Sequence, residues 1–327
     1  MEIEDLPIPN LSSGEVLLKI EATGICGSDM HAWRGHDPRR KPGLVLGHEF
    51  VGRIVRSEAK GFDVGMLFTG NPLITCGACE YCIQGRDNLC SNRGMVGMTR
   101  SGAFAEYMSI PAKSLIKIPQ EMPINAAVLT EPASTAWHAV RLIANSIVRP
   151  LYECSVLIIG GGAIGTLISI LLNHVGAKDL TLVETNYLRR NALEKGVVLN
   201  FKVPFKLLDS NSETIKPSFD VVIDAVGSRT TRIQSFMAAK PGGVIMHIGL
   251  QDWSSEIDMR KLTLDEITLL GAYTYTTFDM QATADALSRG VFGNLSWVKT
   301  KSLVEGQEAF SALNEGHCSA LKVILIP

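Results

Sequence analysis

The stretch "SVLIIGGGAIGTLISILLNHVGAKDLTLVET" restricts the fold of this chain more than any other. An apolar strand pattern, Val156 to Ile159, runs into Gly160, Gly162 and Gly165 in GxGxxG spacing, and a helical apolar pattern follows. The spacing alone is a weak signal. With a strand before it, a helix after it and an acid, Glu184, nineteen residues past Gly165 at the end of the next strand, it becomes a dinucleotide fingerprint. The glycines permit a tight turn and let a pyrophosphate approach the helix N-terminus, where free N–H groups and partial positive charge meet it. Glu184 can accept hydrogen bonds from both ribose hydroxyls and would repel a 2'-phosphate. NAD is therefore expected over NADP, with Arg189 and Arg190 as the residues that could admit the phosphate. Beyond it, "YLRRNALEKG" reads as helix, "FDVVIDAVG" as strand, "TTRIQSFMAAKPGG" as helix, and "GGVIMHIGL" and "ITLLGAYTYT" as strands. The alternation predicts an α/β domain with a doubly wound parallel sheet.

A chain of 327 residues is longer than one core usually organises, so about two domains are expected. A net charge of -2 without a long Lys/Arg run argues against nucleic acid as a partner. The most apolar stretch, Val156 to Val175, is interrupted by four glycines and reads as strand and helix, not as a membrane span. The N-terminal "MEIEDLPIPN" lacks the basic start and apolar core of a secretory signal. Seven cysteines, an odd number, then suggest thiols and metal ligands in a cytoplasmic protein and argue against a disulfide framework.

Four of those cysteines, Cys76, Cys79, Cys82 and Cys90, lie in "CGACEYCIQGRDNLC". Four thiolates on one short loop can form the closed tetrahedral shell of a structural zinc site, with no position left for a substrate. A second group of metal-capable side chains stands upstream, with Cys26, Ser28, Asp29 and His31 in "GICGSDMHAWRGH" and His48 and Glu49 in "LGHEF". A thiolate, an imidazole and a carboxylate suit a zinc ion that keeps one position open. Glu131, in "LTEPASTAWHA", is a further candidate, or else an acid favoured by a helix start.

With "GICGSDMH", "LGHEFVG", "NPLITCGACEYC", "GAFAEY", "EPAS" and the GGGAIG turn in this order, nearly the whole chain resembles the zinc-containing medium-chain alcohol dehydrogenases. It looks most like their polyol branch and is also similar to the threonine 3-dehydrogenases. The resemblance implies a GroES-like β-rich catalytic domain from residues 1–132 and 273–327, with the structural zinc lobe at about 72–95. A Rossmann domain over 133–272 would be inserted into it, with the active site in the cleft. Cys26 and His48 would bind a catalytic zinc, Glu49 would be the polyol branch's carboxylate ligand, and Glu131 would bind directly or through water. Asp29 would orient His48, Ser28 and His31 would relay the alcohol proton, and Thr135 would lie beside the nicotinamide. The implied reaction is NAD-linked oxidation of the secondary alcohol of a polyol or related small hydroxy compound, in a homodimer or homotetramer. Alternatives are threonine, a phosphorylated polyol received by Arg39, Arg40 and Lys41, and, more distantly, a non-catalytic NAD-binding protein of the same fold. Two departures stand out: "FDVGM" replaces the common VGD, and Glu184 stands where aspartate is commoner.

Overall fold

A computed structural model describes residues 2–209 and 218–327. The chain opens with β1 (Glu15–Gly24), α1 (Gly27–Trp33), β2 (Glu49–Ser57) and β3 (Leu67–Gly70). The short strands β4 (Leu73–Ile74) and β5 (Gly94–Met95) flank α2 (Glu80–Ile83), and β6 (Tyr107–Pro111), β7 (Leu115–Lys117) and α3 (Ile124–Val128) follow. Helix α4 (Thr130–Ser146) leads to β8 (Ser155–Ile159), α5 (Ala163–Val175), β9 (Asp179–Val183), α6 (Tyr187–Gly196) and β10 (Phe205–Leu208). Next come β11 (Phe219–Asp224), α7 (Arg229–Ala238), β12 (Ala239–His247), α8 (Met259–Leu264) and β13 (Thr268–Gly271). The chain ends with α9 (Thr277–Ser288), β14 (Val298–Ser302), α10 (Gly306–Asn314) and β15 (Lys322–Ile326).

Two compact units result. The first comprises Met1–Ser134, Thr276–Gly290 and Val298–Pro327, and the second Thr135–Tyr275 and Val291–Trp297. In the first, a largely antiparallel sheet has the order β14-β15-β1-β2-β3-β7, with β6 also paired to β1. Val16, Leu18 and Ile20 of β1 point to one face, at the two-residue period of a strand, and pack with Phe50, Ile54, Phe68, Met108 and Ile110. Strand β1 is flanked at its end by β2 and β15, so that Gly24 lies opposite both Glu49 and Ile324.

In the second unit every pair of the six-stranded sheet is parallel, in the order β10-β9-β8-β11-β12-β13. This is the doubly wound arrangement expected from the sequence. Strand β8 is buried along its whole length, as a central parallel strand covered on both faces must be. The order reverses at β8, and in such sheets ligands bind outside the strands' carboxyl ends at that reversal, which here is where the glycine turn sits. Gly160 has φ of 101°, and a Cβ on Gly165 would fall 1.9 Å from the Gly160 carbonyl oxygen.

One expectation differs. The run "AKPGG" was expected to finish a helix, but α7 stops at Ala238 and β12 begins at Ala239. Pro241 lacks an N–H and disfavours helical backbone in Lys240, and Gly242 takes φ of 71°, so the segment enters the sheet through a shift in register.

Gly165→Ala tests the turn. The added methyl must push the loop from the helix, lowering stability by about 1–3 kcal/mol and weakening NADH binding. Denaturant melts and NADH fluorescence titration check both, and unchanged values would show that the close approach is not needed.

Candidate active site

The upstream group of metal-capable side chains, around Cys26 and His48, converges in the first unit. Cys26 is the N-cap of α1, where its backbone N–H donates to Asp29 Oδ2 at 3.1 Å in a capping box. Glu49 is the first residue of β2 and His48 immediately precedes it. One donor atom from each of Cys26, His48 and Glu49 lies within 4.8 Å of the others. His48 and Glu49 are buried, and Cys26 is half-buried. The chemistry of this compact set of thiol, imidazole and carboxylate fits a zinc ion with an open position.

Asp29 supports this set from behind. Its Oδ1 lies 3.4 Å from His48 Nδ1 and 3.5 Å from the Arg40 guanidinium. Burial opposes the Asp29 charge, but His48, Arg40 and the Cys26 N–H outweigh it and hold the carboxyl below its ordinary range. Burial likewise opposes a charged His48, yet Asp29 and Cys26 raise it well above its ordinary value. Ser28 and His31, one helical turn apart on α1, share no hydrogen bond. Burial and the Arg34 charge push His31 below its ordinary value, which keeps it able to accept a proton at neutral pH.

Arg40 does not serve as the anion receptor considered for a phosphorylated substrate. Its side chain is 2% exposed. The guanidinium donates to Ser28 O at 2.6 Å, Gly97 O at 3.0 Å, Asp37 Oδ2 at 3.3 Å and Ser28 Oγ at 3.3 Å. Arg39 in turn grips Asp37 through two nitrogens. These arginines organise the loop.

Glu49 is held from the other side by Lys322 of β15, whose Nζ donates to Glu49 Oε1 at 2.5 Å and to Ile25 O at 2.8 Å. Glu49 Oε2 touches the same ammonium but has no hydrogen-bond geometry to any donor. Room for it exists because residue 24 is glycine: a Cβ there would fall 1.9 Å from Oε2. Glu131, buried in the first turn of α4, is outside the three-donor group but within electrostatic reach of Lys322.

The four-cysteine lobe is built locally. Cys76, Cys79, Cys82 and Cys90 are free thiols, with sulfur–sulfur separations of 3.5 Å for Cys76 and Cys90, 3.6 Å for Cys79 and Cys82, and 4.0 Å for Cys76 and Cys82. A tetrahedron of about 2.3 Å zinc–sulfur bonds has edges of about 3.8 Å. Backbone N–H groups of Cys82 and Ser91 pull the Cys79 thiol down to about 6, while burial and the neighbouring Cys79 push Cys82 up to about 12. Four thiols so close cannot all ionise unless a cation joins them, and zinc meets that condition.

In the second unit both Glu184 carboxylate oxygens accept backbone hydrogen bonds, Oε2 from Gly161 N–H at 3.1 Å and Oε1 from Asn186 N–H at 2.7 Å. Gly160, Gly162 and Gly165 form the turn beside it, Gly162 being the N-cap of α5. Arg190 is committed to the carbonyls of Glu184 and Thr185 and to Asp209. Arg189, with Nε 3.7 Å from Glu184 Oε2, is more open. Thr135 is half-buried on α4.

Comparison with known proteins agrees with this construction. The family described as "Alcohol dehydrogenase GroES-like domain" matches residues 12–120, and that described as "Zinc-binding dehydrogenase" matches residues 163–289. The chain is 32% identical over 332 residues to the L-threonine 3-dehydrogenase of Stenotrophomonas maltophilia, covering 99% of this chain and 95% of that one. Among solved structures, a zinc-binding dehydrogenase of Sinorhizobium meliloti bound to NADP is 29% identical with a TM-score of 0.86, covering 98% of this chain and 94% of the other. Acetophenone reductase of Geotrichum candidum in complex with NAD is 27% identical with a TM-score of 0.87, covering 99% and 93%. This chain belongs to the zinc-containing medium-chain alcohol dehydrogenase family. It is an alcohol oxidoreductase of the zinc- and nicotinamide-dependent kind.

Sequence reasoning missed Gly24, Arg40 as a buried clamp, and Lys322. Lys322 left one signal, a single charge inside the apolar run "ALKVILIP".

Metal analysis tests the two sites separately. The native protein is expected to hold two zinc ions per chain, Cys90→Ser to lose the one in the cysteine lobe along with thermal stability, and Gly24→Ala to lose the other by displacing Glu49. Two ions retained in Gly24→Ala would contradict the placement of the second site.

Proposed function

We propose that this protein oxidises the secondary alcohol of a small hydroxy compound to a ketone with NAD, L-threonine being the first substrate to test and polyols the second. The reading is carried by the convergence of Cys26, His48 and Glu49 behind a helix that presents Ser28 and His31. The threonine assignment is supported by the names of the relatives that match over nearly the whole chain. A zinc ion held by Cys26, His48 and Glu49, with Glu131 in reserve, would supply the acidity that an alcohol needs to deprotonate near neutral pH.

This chain's residues then have distinct tasks. Asp29, 3.4 Å from His48 Nδ1, stands where it can orient the ring, and Arg40 holds Asp29. Ser28 Oγ accepts the alcohol proton as it releases its own. His31, which does not bond Ser28 directly, receives that released proton through a bridging hydroxyl or water and passes it to solvent, consistent with its lowered affinity for protons. Gly160, Gly162 and Gly165 cradle the pyrophosphate, Glu184 the adenosine ribose, and Thr135 the nicotinamide end. The engagement of Arg190 elsewhere favours NAD, because of these two arginines Arg189 alone is left more open to a 2'-phosphate.

The protein is read as a cytoplasmic homodimer or homotetramer. Among the described residues no helix is long and apolar enough to cross a membrane. The edge strand β13 exposes Thr268, Leu269 and Gly271 and offers unpaired backbone to a partner.

His48→Ala is expected to lower kcat at least about a thousandfold, the several kcal/mol that a bound metal contributes, while NADH titration shows binding intact. Measuring NADH formation from L-threonine, sorbitol, xylitol and galactitol 1-phosphate with zinc supplied identifies the substrate, and turnover of simple alcohols alone would reject both named classes. Glu184→Ala should shift the NAD-to-NADP ratio of kcat/KM towards NADP by about tenfold, roughly 1.4 kcal/mol. No shift would mean that Glu184 serves only the Gly161 turn.

A further inference from the structure

The buried ammonium of Lys322 has no part in the scheme above, yet it lies against one candidate metal ligand and beside another. Its side chain is 2% exposed and Glu49 is 1% exposed, so neither charge is tolerable without the other. The lysine also bonds the carbonyl of Ile25, the residue immediately before Cys26. Through one atom it therefore ties β2, which carries Glu49, to the segment that carries Cys26. Asp29, Glu49 and Glu131 are buried anions around the site, and Cys26 becomes a fourth as a metal-bound thiolate. Arg40 and Lys322 are buried cations that face them, Arg40 also bonding Asp37.

We infer that Lys322 is a positioning residue which holds Glu49 for the metal and competes with the metal for it. The ammonium lies against both carboxylate oxygens, donating to Oε1 at 2.5 Å and touching Oε2. A divalent ion that takes either oxygen must draw it from the ammonium, and the nearby positive charge opposes the ion's arrival. Lys322 thus stabilises the empty site at the expense of metal affinity. The inference rests on the reading of Cys26, His48 and Glu49 as ligands.

Cobalt(II) titration tests it, after the four-cysteine lobe has been filled with zinc, by following thiolate-to-cobalt absorption against a competing chelator. Lys322→Met is expected to bind cobalt about tenfold more tightly than the native protein. Without metal the same variant should melt lower, and it should gain more in Tm when cobalt is added, because binding to the folded state alone stabilises in proportion to affinity. Lys322→Arg, which keeps a buried cation, should bind no more tightly than the native protein. If Lys322→Met folds only with metal present, its cobalt affinity is measured by chelator extraction from the loaded protein, with the double variant Lys322→Met/Glu49→Gln as the neutral reference. That double variant should lose the tightening.

Native protein that binds cobalt at this site, with Lys322→Met binding equally or more weakly, overturns the role of Lys322 and leaves the metal site standing. Equal tightening in Lys322→Arg overturns it as well. Native protein that binds no cobalt beyond the zinc-filled lobe overturns the ligand assignment and the role of Lys322 together.

Discussion

The absence of a side chain at Gly24 is the constraint on which the metal end of this protein depends. Glu49 and Lys322 come from β2 and β15, the strands on either side of the end of β1, and they meet across it. Their contact needs the volume that a Cβ at residue 24 would fill. Two buried charges are acceptable only as a pair, so strands β2 and β15, a carboxylate and the backbone just before Cys26 are tied together at one point.

Asp29 shows how a local rule of helix formation and a requirement of the site can be met by one side chain. One oxygen caps α1 and thereby holds Cys26 at the helix start; the other faces His48 and Arg40. Arg40 extends this support to Ser28 and, through Asp37, to the loop that carries it. These contacts hold the candidate ligands from the protein side, the support that a metal centre with an open position requires. The cysteine lobe follows the opposite plan. Its four thiols come from one short loop, and backbone N–H groups support them directly.

The parallel nucleotide sheet was legible because its signals are local: an apolar strand, glycines at fixed offsets and an acid at the end of the next strand all lie within about thirty residues. The cysteine lobe was legible for the same reason. The run "AKPGG" was misread because helix termination and strand entry share the same residues, and only the pairing of β12 with β11 separates them. Arg40 looked like an exposed basic residue in "HDPRRKP" since nothing in its neighbours announces that it turns inward to Asp29 and Gly97.

By itself the sequence determined the two-domain α/β class, the dinucleotide turn and the identity of the metal-capable residues, because each depends on residue type and short spacing. Only the tertiary structure decided that Glu49, and not Glu131, joins Cys26 and His48 within one donor group. It alone revealed that Lys322, 273 residues away in the chain, neutralises that carboxylate. The physical reason is that a buried charge selects its partner through space, by strand register and available volume, and neither quantity is written in the spacing of residues along the chain.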